Sequence, residues 1–315
     1  MRFLVMGLIF AAIGFVAANT VISLLIVLLW RVAKPAPRRS GWLFVMRVSP
    51  AIGSVALVLG LVLPAFWLFE PRATGERPSL ALFGFVLVAG ALVVAGLHRA
   101  IVSWRDTRRL EHLWKSVAVG RADVALPIRA YRVPSEAPLA ALVGVVRPRL
   151  FVSDRFLTAL SADEQRAVLA HEAGHMLSLD NLKRTVLRLA PDWLSFSTVG
   201  REIEAAWAIA TEEEADDHAV GPDGARSLDL AGALLKAARL TPVHCAPVSN
   251  FYDGATVARR VARLLEDRPK GRRPAGRLAS RFAGLVALAL AAALLSGPAL
   301  RAAYAMTEAA VQLLQ

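Results

Sequence analysis

Hydrophobic positions along this chain come in two textures, long unbroken runs and short periodic stretches, and they divide it. Phe3–Trp30 is apolar apart from small and amide residues. Val48–Phe69, Leu80–Ile101 and Phe282–Leu300 are similar runs. Each has about the 20 residues that a bilayer-crossing helix needs. The first is too long for a secretory leader and ends in Trp-Arg without a small-residue cleavage site. Between the third and fourth runs the texture changes. Trp104–Val119 mixes Arg, Glu and Lys with Leu110, Leu113, Trp114 and Val117, the pattern of an amphipathic helix leaving the membrane. Residues 124–134 and 139–153 read as short strands, with Arg147-Pro148-Arg149 turning the second stretch back on itself. Ser161, with Glu164 three residues on, is a capping box that opens a helix running through Val168 and Leu169. Leu182–Leu189 and Glu202–Val220 read as further helices parted by Pro191 and Gly200, and Leu228–Leu240 and Val257–Leu265 as two more.

The expected organisation is three transmembrane helices within 1–101 (about 3–30, 48–69 and 80–101), a folded domain at 102–266, a basic linker at 267–281, a fourth transmembrane helix at 282–300 and a short tail at 301–315. Residues are 56% hydrophobic, high for a soluble chain of 315. The net charge of +12 changes the picture through its placement. Arg31, Lys34, Arg38, Arg39 and Arg47 lie between the first two runs, Arg99 to Lys115 after the third, and Arg268 to Arg281 before the fourth. Positive charge at span ends marks the cytoplasmic side. The expectation is therefore a multipass protein of the cell inner or plasma membrane, its N-terminus outside and residues 102–281 in the cytoplasm. The basic clusters serve topology and anionic lipid headgroups rather than nucleic acid. The lone Cys245 rules out an intrachain disulfide and agrees with a reducing compartment. The spans carry almost no charge inside the membrane, against a transporter.

Residues 171–175 of the capped helix read His-Glu-Ala-Gly-His. Four residues are about one helical turn, so His171 and His175 share a face and can hold one metal ion, with Glu172 beside them as the proton acceptor for an attacking water. A catalytic zinc site needs a third protein ligand. The source is the acidic cluster Thr211-Glu-Glu-Glu-Ala-Asp-Asp-His, where Glu212 and Asp216, or Glu213 and Asp217, lie one turn apart. One carboxylate of a pair binds metal while the other orients a ligand histidine. Asp180 lies too near the motif to be the first choice of ligand. The strand region 139–153 offers an edge to an extended substrate. His218 and Tyr252 are oxyanion candidates by residue type alone. His98 and His112 read as interfacial or solvated, and His244-Cys245 as an incidental loop pair.

His171-Glu172-x-x-His175 followed by Glu-x-x-x-Asp on a later helix resembles the membrane-bound gluzincin metallopeptidases. The stretches Pro138–Ser153 and Leu160–Glu172, with Asp180 five residues after the second histidine, are similar to the antirepressor peptidases of the BlaR/MecR type. HtpX-like quality-control proteases and CAAX prenyl endopeptidases resemble the chain next. The resemblance covers about residues 126–220 by motif and 1–300 by architecture. It implies a mainly α membrane protein, four transmembrane helices with a cytoplasmic α+β zincin-like domain. It implies Zn2+ held by His171, His175 and Glu212, catalysis by Glu172, and Asp216 and Asp180 behind the ligands. Glu212 is preferred over Glu213 because Ala215-Asp216 and Ala219 then fall where the motif has them. The implied activity is endopeptidase cleavage of a protein substrate such as a regulator, with HtpX-like quality control or a zinc-domain signalling scaffold as alternatives. Expected partners are the bilayer and the substrate, with self-cleavage at the 266–277 linker. Only Arg301–Gln315 follows the last run, so an extracellular beta-lactam sensor is not expected.

Overall fold

In the computed structural model, residues 2–32, 39–72, 78–122, 128–134, 140–240, 254–266 and 296–314 are described. The three apolar runs form α1 (Arg2–Val32), a second helix running from Ser40 to Phe69, and α4 (Leu80–Val117), all long and apolar enough to cross a membrane. The second helix comprises α2 (Ser40–Leu57), a π turn at Val58–Val62 and α3 (Leu63–Phe69). Pro64, which lacks a backbone donor, follows that wide turn, the usual company of a helix irregularity. Inside α2, Pro50 withholds the amide that would bond the Met46 carbonyl, and the Ser49 hydroxyl donates to that carbonyl instead at 3.0 Å. The amphipathic segment expected after span three is continuous with it as the end of α4.

Contacts divide the chain into two units: Met1–Ala100, Leu187–Ala206 and Arg273–Gln315 in one, Ile101–Val186 and Trp207–Arg272 in the other. The core of the first unit joins Met6, Ile9 and Phe10 of α1 to Val62, Phe66 and Leu82. Leu24, Leu28, Leu59, Trp67, Leu87 and Val94 point outward and exposed, as lipid-facing side chains do. Residues 301–313, in the segment after the fourth apolar run, form most of helix α11 (Gly297–Leu313). Its Val311 is fully buried in that core, and its Tyr304 hydroxyl donates to Glu70 at 2.8 Å. Residues 267–295, holding the basic linker and the larger part of the fourth apolar run, lie outside the described residues.

Two sequence expectations fail in this unit. Arg47, assigned to a cytoplasmic flank, sits within α2 at 1% exposure. It donates to Asp192 at 2.9 and 3.0 Å, to Glu204 at 2.8 Å and to Ser195 at 2.9 Å. The apolar helices therefore hold a buried ion network, which periodicity missed because its acidic half comes from 145 and 157 residues downstream in sequence. Gly200 does not separate helices; it lies near the start of α8 (Thr198–Val220). A Cβ there would fall 1.9 Å from the Leu194 carbonyl oxygen, so this glycine permits the close turn through the short 3-10 segment Trp193–Phe196.

The second unit is built on a four-stranded sheet, order β1-β2-β4-β3, from β1 (Gly120–Arg121), β2 (Ala130–Val133), β3 (Ala140–Val143) and β4 (Arg149–Ser153). β2 and β4 are parallel, and the outer pairs are antiparallel. Central β4 is the apolar one, with Leu150, Phe151 and Val152 fully buried. Ala130, Leu150 and Val152 pack with Phe156 of α5 (Asp154–Ala159), Leu160, and Ala233 of α9 (Ser227–Leu240). On the opposite face Phe151 meets Trp114 and Tyr131 at ring distances of 5.2 and 5.5 Å. Ser161 caps α6 (Ala162–Leu177) with the full capping box, its hydroxyl accepting from the Glu164 amide while Glu164 accepts from the Ser161 amide. The helical layer is completed by α7 (Asp180–Leu189), α8, α9 and α10 (Gly254–Glu266), joined by Ala167, Ala219, Leu230, Val257, Val261 and Leu264.

Candidate metal centre

α6 carries the two histidines to the interior, His171 buried and His175 partly so. Between them Gly174 packs on α8: a Cβ there would lie 3.1 Å from the Ala215 Cα and 3.2 Å from the His218 Cβ. The missing side chain thus sets how closely α8 approaches, and Glu212 of α8 reaches the imidazoles. His171, His175 and Glu212 can each offer one atom, all within 4.8 Å of one another. The two Nε2 atoms are 3.1 Å apart with rings nearly perpendicular. Glu212 Oε1 lies 3.4 Å from His175 Nε2, and Oε2 lies 3.5 Å from His171 Nε2.

Each ring is oriented from behind by a carboxylate. His175 Nδ1 is 2.8 Å from Asp180 Oδ2, and His171 Nδ1 is 3.0 Å from Asp216 Oδ1. Asp180, 3% exposed, accepts from His175 Nδ1, which puts that ring's proton on Nδ1 and turns its Nε2 toward His171 and Glu212, while the fully buried Asp216 stands behind His171 as its nearest charge. Two lone pairs and a carboxylate facing one point are a donor set for a cation; the chemistry of nitrogen and oxygen at this spacing suits zinc. The position of Asp180 depends on Leu179, which at φ 56° takes the left-handed conformation that reverses the chain between α6 and α7.

The electrostatics have the same sense. Burial opposes a charge on His171, but hydrogen bonds and charges from Asp216 and Glu212 outweigh it and raise its pKa to about 10. Burial likewise pushes Asp216 up, yet His171 and Arg260 together hold it down to about 2. Glu212 is held below its ordinary value against burial by His171, His175 and Arg260. The pocket thus demands positive charge. Glu172 goes the other way: burial lifts its carboxyl above the ordinary range, although both imidazoles and a hydrogen bond from the Leu142 amide pull it down.

Arg260 of α10 was not anticipated. At 4% exposure it donates to both Asp216 oxygens at 2.6 and 2.8 Å and stands 3.0 Å from Glu212 Oε2. Its signal was present: on amphipathic α10, Val257, Arg260, Val261 and Leu264 follow one helical stripe, and an arginine on an apolar stripe needs a buried partner. Asn181 was also missed. It donates to the Leu142 and Gly144 carbonyls at 3.0 and 2.9 Å and so fastens the end of β3 beside the histidines.

The structure gathers Glu172, His171, His175, Glu212, Asp216 and Asp180 in one place. Glu213 is half-buried outside the cluster, and Asp217 pairs with Arg263 instead of a histidine. His218 is exposed. His244, Cys245 and Tyr252 lie outside the described residues. A cavity of about 180 Å3 opens on the cluster, with Phe156, Leu160, Val168, Leu230, Ala233 and Leu234 among its apolar lining and Glu172 and Arg260 among its polar groups.

No curated protein matches the chain. Residues 105–241, which contain both histidines, Glu172, Glu212 and Asp216, match peptidase family M48. Those residues are similar to that family, and the match, laid over a His-His-Glu group with a carboxylate beside it, indicates a zinc metallopeptidase.

Proposed function

We propose that the chain is a membrane-embedded zinc endopeptidase that cleaves an extended segment of a membrane-associated or regulatory protein. The observation that carries this reading is the convergence of His171, His175 and Glu212 beside Glu172, in a cavity bounded by the edge strand β3. His171, His175 and Glu212 would hold the zinc ion, with Asp180 and Asp216 fixing the imidazoles and Arg260 fixing Asp216 and Glu212. When bound, zinc supplies Lewis acidity toward the scissile carbonyl and lowers the pKa of a neighbouring water. Glu172 takes the proton of the attacking water and delivers it to the leaving amine nitrogen. Its raised pKa suits both tasks, since a carboxyl nearer neutrality accepts and releases a proton more evenly. Among the described residues β3 pairs only with β4, and its outer edge at Ala140, before Asn181 takes the Leu142 and Gly144 carbonyls, can receive an extended chain, which a cavity of about 180 Å3 admits and a folded domain does not fit.

Three helices apolar enough to span a bilayer support membrane residence, and Arg31, Arg39, Arg105, Arg108 and Arg109 near their ends support an outside N-terminus with the peptidase in the cytoplasm. Protease added outside sealed, right-side-out vesicles should leave residues 102–266 intact; digestion there reverses the orientation. The activity is tested on full-length, detergent-purified protein by metal content and cleavage of a denatured protein substrate, wild type beside Glu172→Gln. Stoichiometric zinc in both with cleavage by the wild type alone is expected. Zinc in both without cleavage would favour a binding scaffold, and cleavage retained by the variant would remove Glu172 as the base.

A further inference from the structure

A second cavity flanks the histidine cluster at the other end of β3, and its charge differs from the first. It measures about 530 Å3 and is lined by Arg129, Arg147 and Arg149 together with His175, Asp180 and Asn181. Arg149 is engaged by Glu111. The exposed side chains of Arg129 and Arg147 make no ion pair among the described residues. Asp180, the acidic residue in the lining, is already held by His175 at 2.8 Å and Lys183 at 3.6 Å. The cavity therefore presents two uncompensated guanidinium groups beside the site.

The polarity of β3 orders the two cavities along a bound chain. The Leu142 carbonyl accepts from Asn181, so Leu142, and by the two-residue period of a strand Ala140, direct backbone groups away from β4, and a bound chain pairs at Ala140 because the Leu142 carbonyl is taken. β3 runs from Ala140 beside the apolar cavity to Val143. Gly144, at φ +115° where a side chain would be strained, then turns the chain into Arg147 and back to β4. Antiparallel pairing is the more stable way to add a strand to this edge. A peptide so paired has its N-terminal part over Gly144–Arg149 and its C-terminal part over the apolar cavity.

Resting on the peptidase reading above, we propose that this site selects substrates bearing Asp or Glu on the N-terminal side of the scissile bond, bound by Arg129 and Arg147, and an aliphatic or aromatic residue just C-terminal of it. The basic residues of this unit then serve substrate choice as well as topology. The shared chemistry of carboxylate and phosphate leaves lipid headgroups as the competing occupant, to be separated by experiment.

The test uses full-length, zinc-loaded protein in neutral detergent and quenched decapeptides with a central Ala-Leu bond. Paired peptides carry Glu or Gln two and three residues N-terminal of that bond, or at the mirrored C-terminal positions. The N-terminal Glu peptide should have a KM lower by about two- to thirtyfold, the range two exposed ion pairs allow, and the advantage should shrink in high salt. In R129Q/R147Q, with metal content equal to wild type, the two members of the pair should become equivalent. The same peptides, labelled and titrated onto Glu172→Gln, compare binding without turnover. Absence of any cleavage would thus refute the activity alone, whereas equal binding of Glu and Gln peptides would overturn the arginine subsite alone. A preference for C-terminal Glu would also overturn it. So would a Glu preference surviving in R129Q/R147Q while binding to phosphatidylglycerol vesicles is lost, which assigns the arginines to headgroups.

Discussion

The two carboxylates behind the histidines look alike, and the structure predicts that removing their charges has different consequences. In Asp180→Asn the amide oxygen can still accept from His175 Nδ1 at the 2.8 Å now spanned, so the tautomer survives. What is lost is the negative charge that strengthens the imidazole as a ligand. Changes to such outer partners cost about 10–100-fold in metal affinity, or about 1.4–2.7 kcal/mol. Asp180 pairs otherwise with the more exposed Lys183 at 3.6 Å, so the fold should lose little besides. In Asp216→Asn the same ring contact is weakened, but a second partner is affected. Arg260 sits 4% exposed against a fully buried Asp216 with two short hydrogen bonds. Orphaning a buried charge costs about 3–5 kcal/mol, and because Arg260 keeps Glu212 at 3.0 Å the loss here should fall below that range yet remain measurable. Competition with a chromogenic chelator measures the zinc affinity, and thermal unfolding of the metal-free protein in detergent measures the fold. Asp180→Asn should lower the first and spare the second; Asp216→Asn should lower both. Zinc affinity of Asp180→Asn within twofold of wild type, or metal-free Asp216→Asn unfolding with the wild type, would refute this division of roles.

Further outcomes follow from the same contacts. The pKa of His171, raised from 6.5 to about 10, gives the metal-free fold a proton-linked stability that is full below pH 6.5 and lost as pH climbs toward 10. Zinc must displace that proton, so calorimetry should show affinity rising about tenfold per pH unit below pH 10; a pH-independent affinity would contradict it. Gly174→Val should drive α6 and α8 apart, costing about 1–3 kcal/mol in unfolding experiments and weakening zinc binding in parallel. Unchanged zinc affinity would mean that this contact does not set the reach of Glu212. Arg47→Met strands Asp192 at 0% exposure and should destabilise the protein by about 3–5 kcal/mol, with Asp192→Asn in the same chain recovering part of the loss; no recovery would indicate that packing, not charge, holds Arg47.

The sequence by itself determined what depends on near neighbours. Apolar runs of membrane length appear as α1, the α2–α3 pair and α4, because a helix of that composition satisfies its own backbone. The Ser161–Glu164 box starts α6 where the spacing requires it, and the one-turn separation of His171 and His175 places both on one face. The acidic cluster was legible as a ligand source, and motif alignment favoured the Glu212 register. Only the tertiary structure put Glu212, and not Glu213, beside the histidines, through the approach of α8 over Gly174. The resemblance had set Asp180 behind the ligands, and the tertiary structure paired it with His175 in particular, since a left-handed Leu179 reverses the chain there. Arg260 and the Arg47–Asp192 network escaped for one shared reason. A charged residue on an apolar stripe announces that it needs a partner, but the partner lies 44 residues away for Arg260–Asp216 and 145 for Arg47–Asp192. Local periodicity governs which residues share a helix face; which faces then meet is settled by packing and by the cost of leaving a buried charge alone.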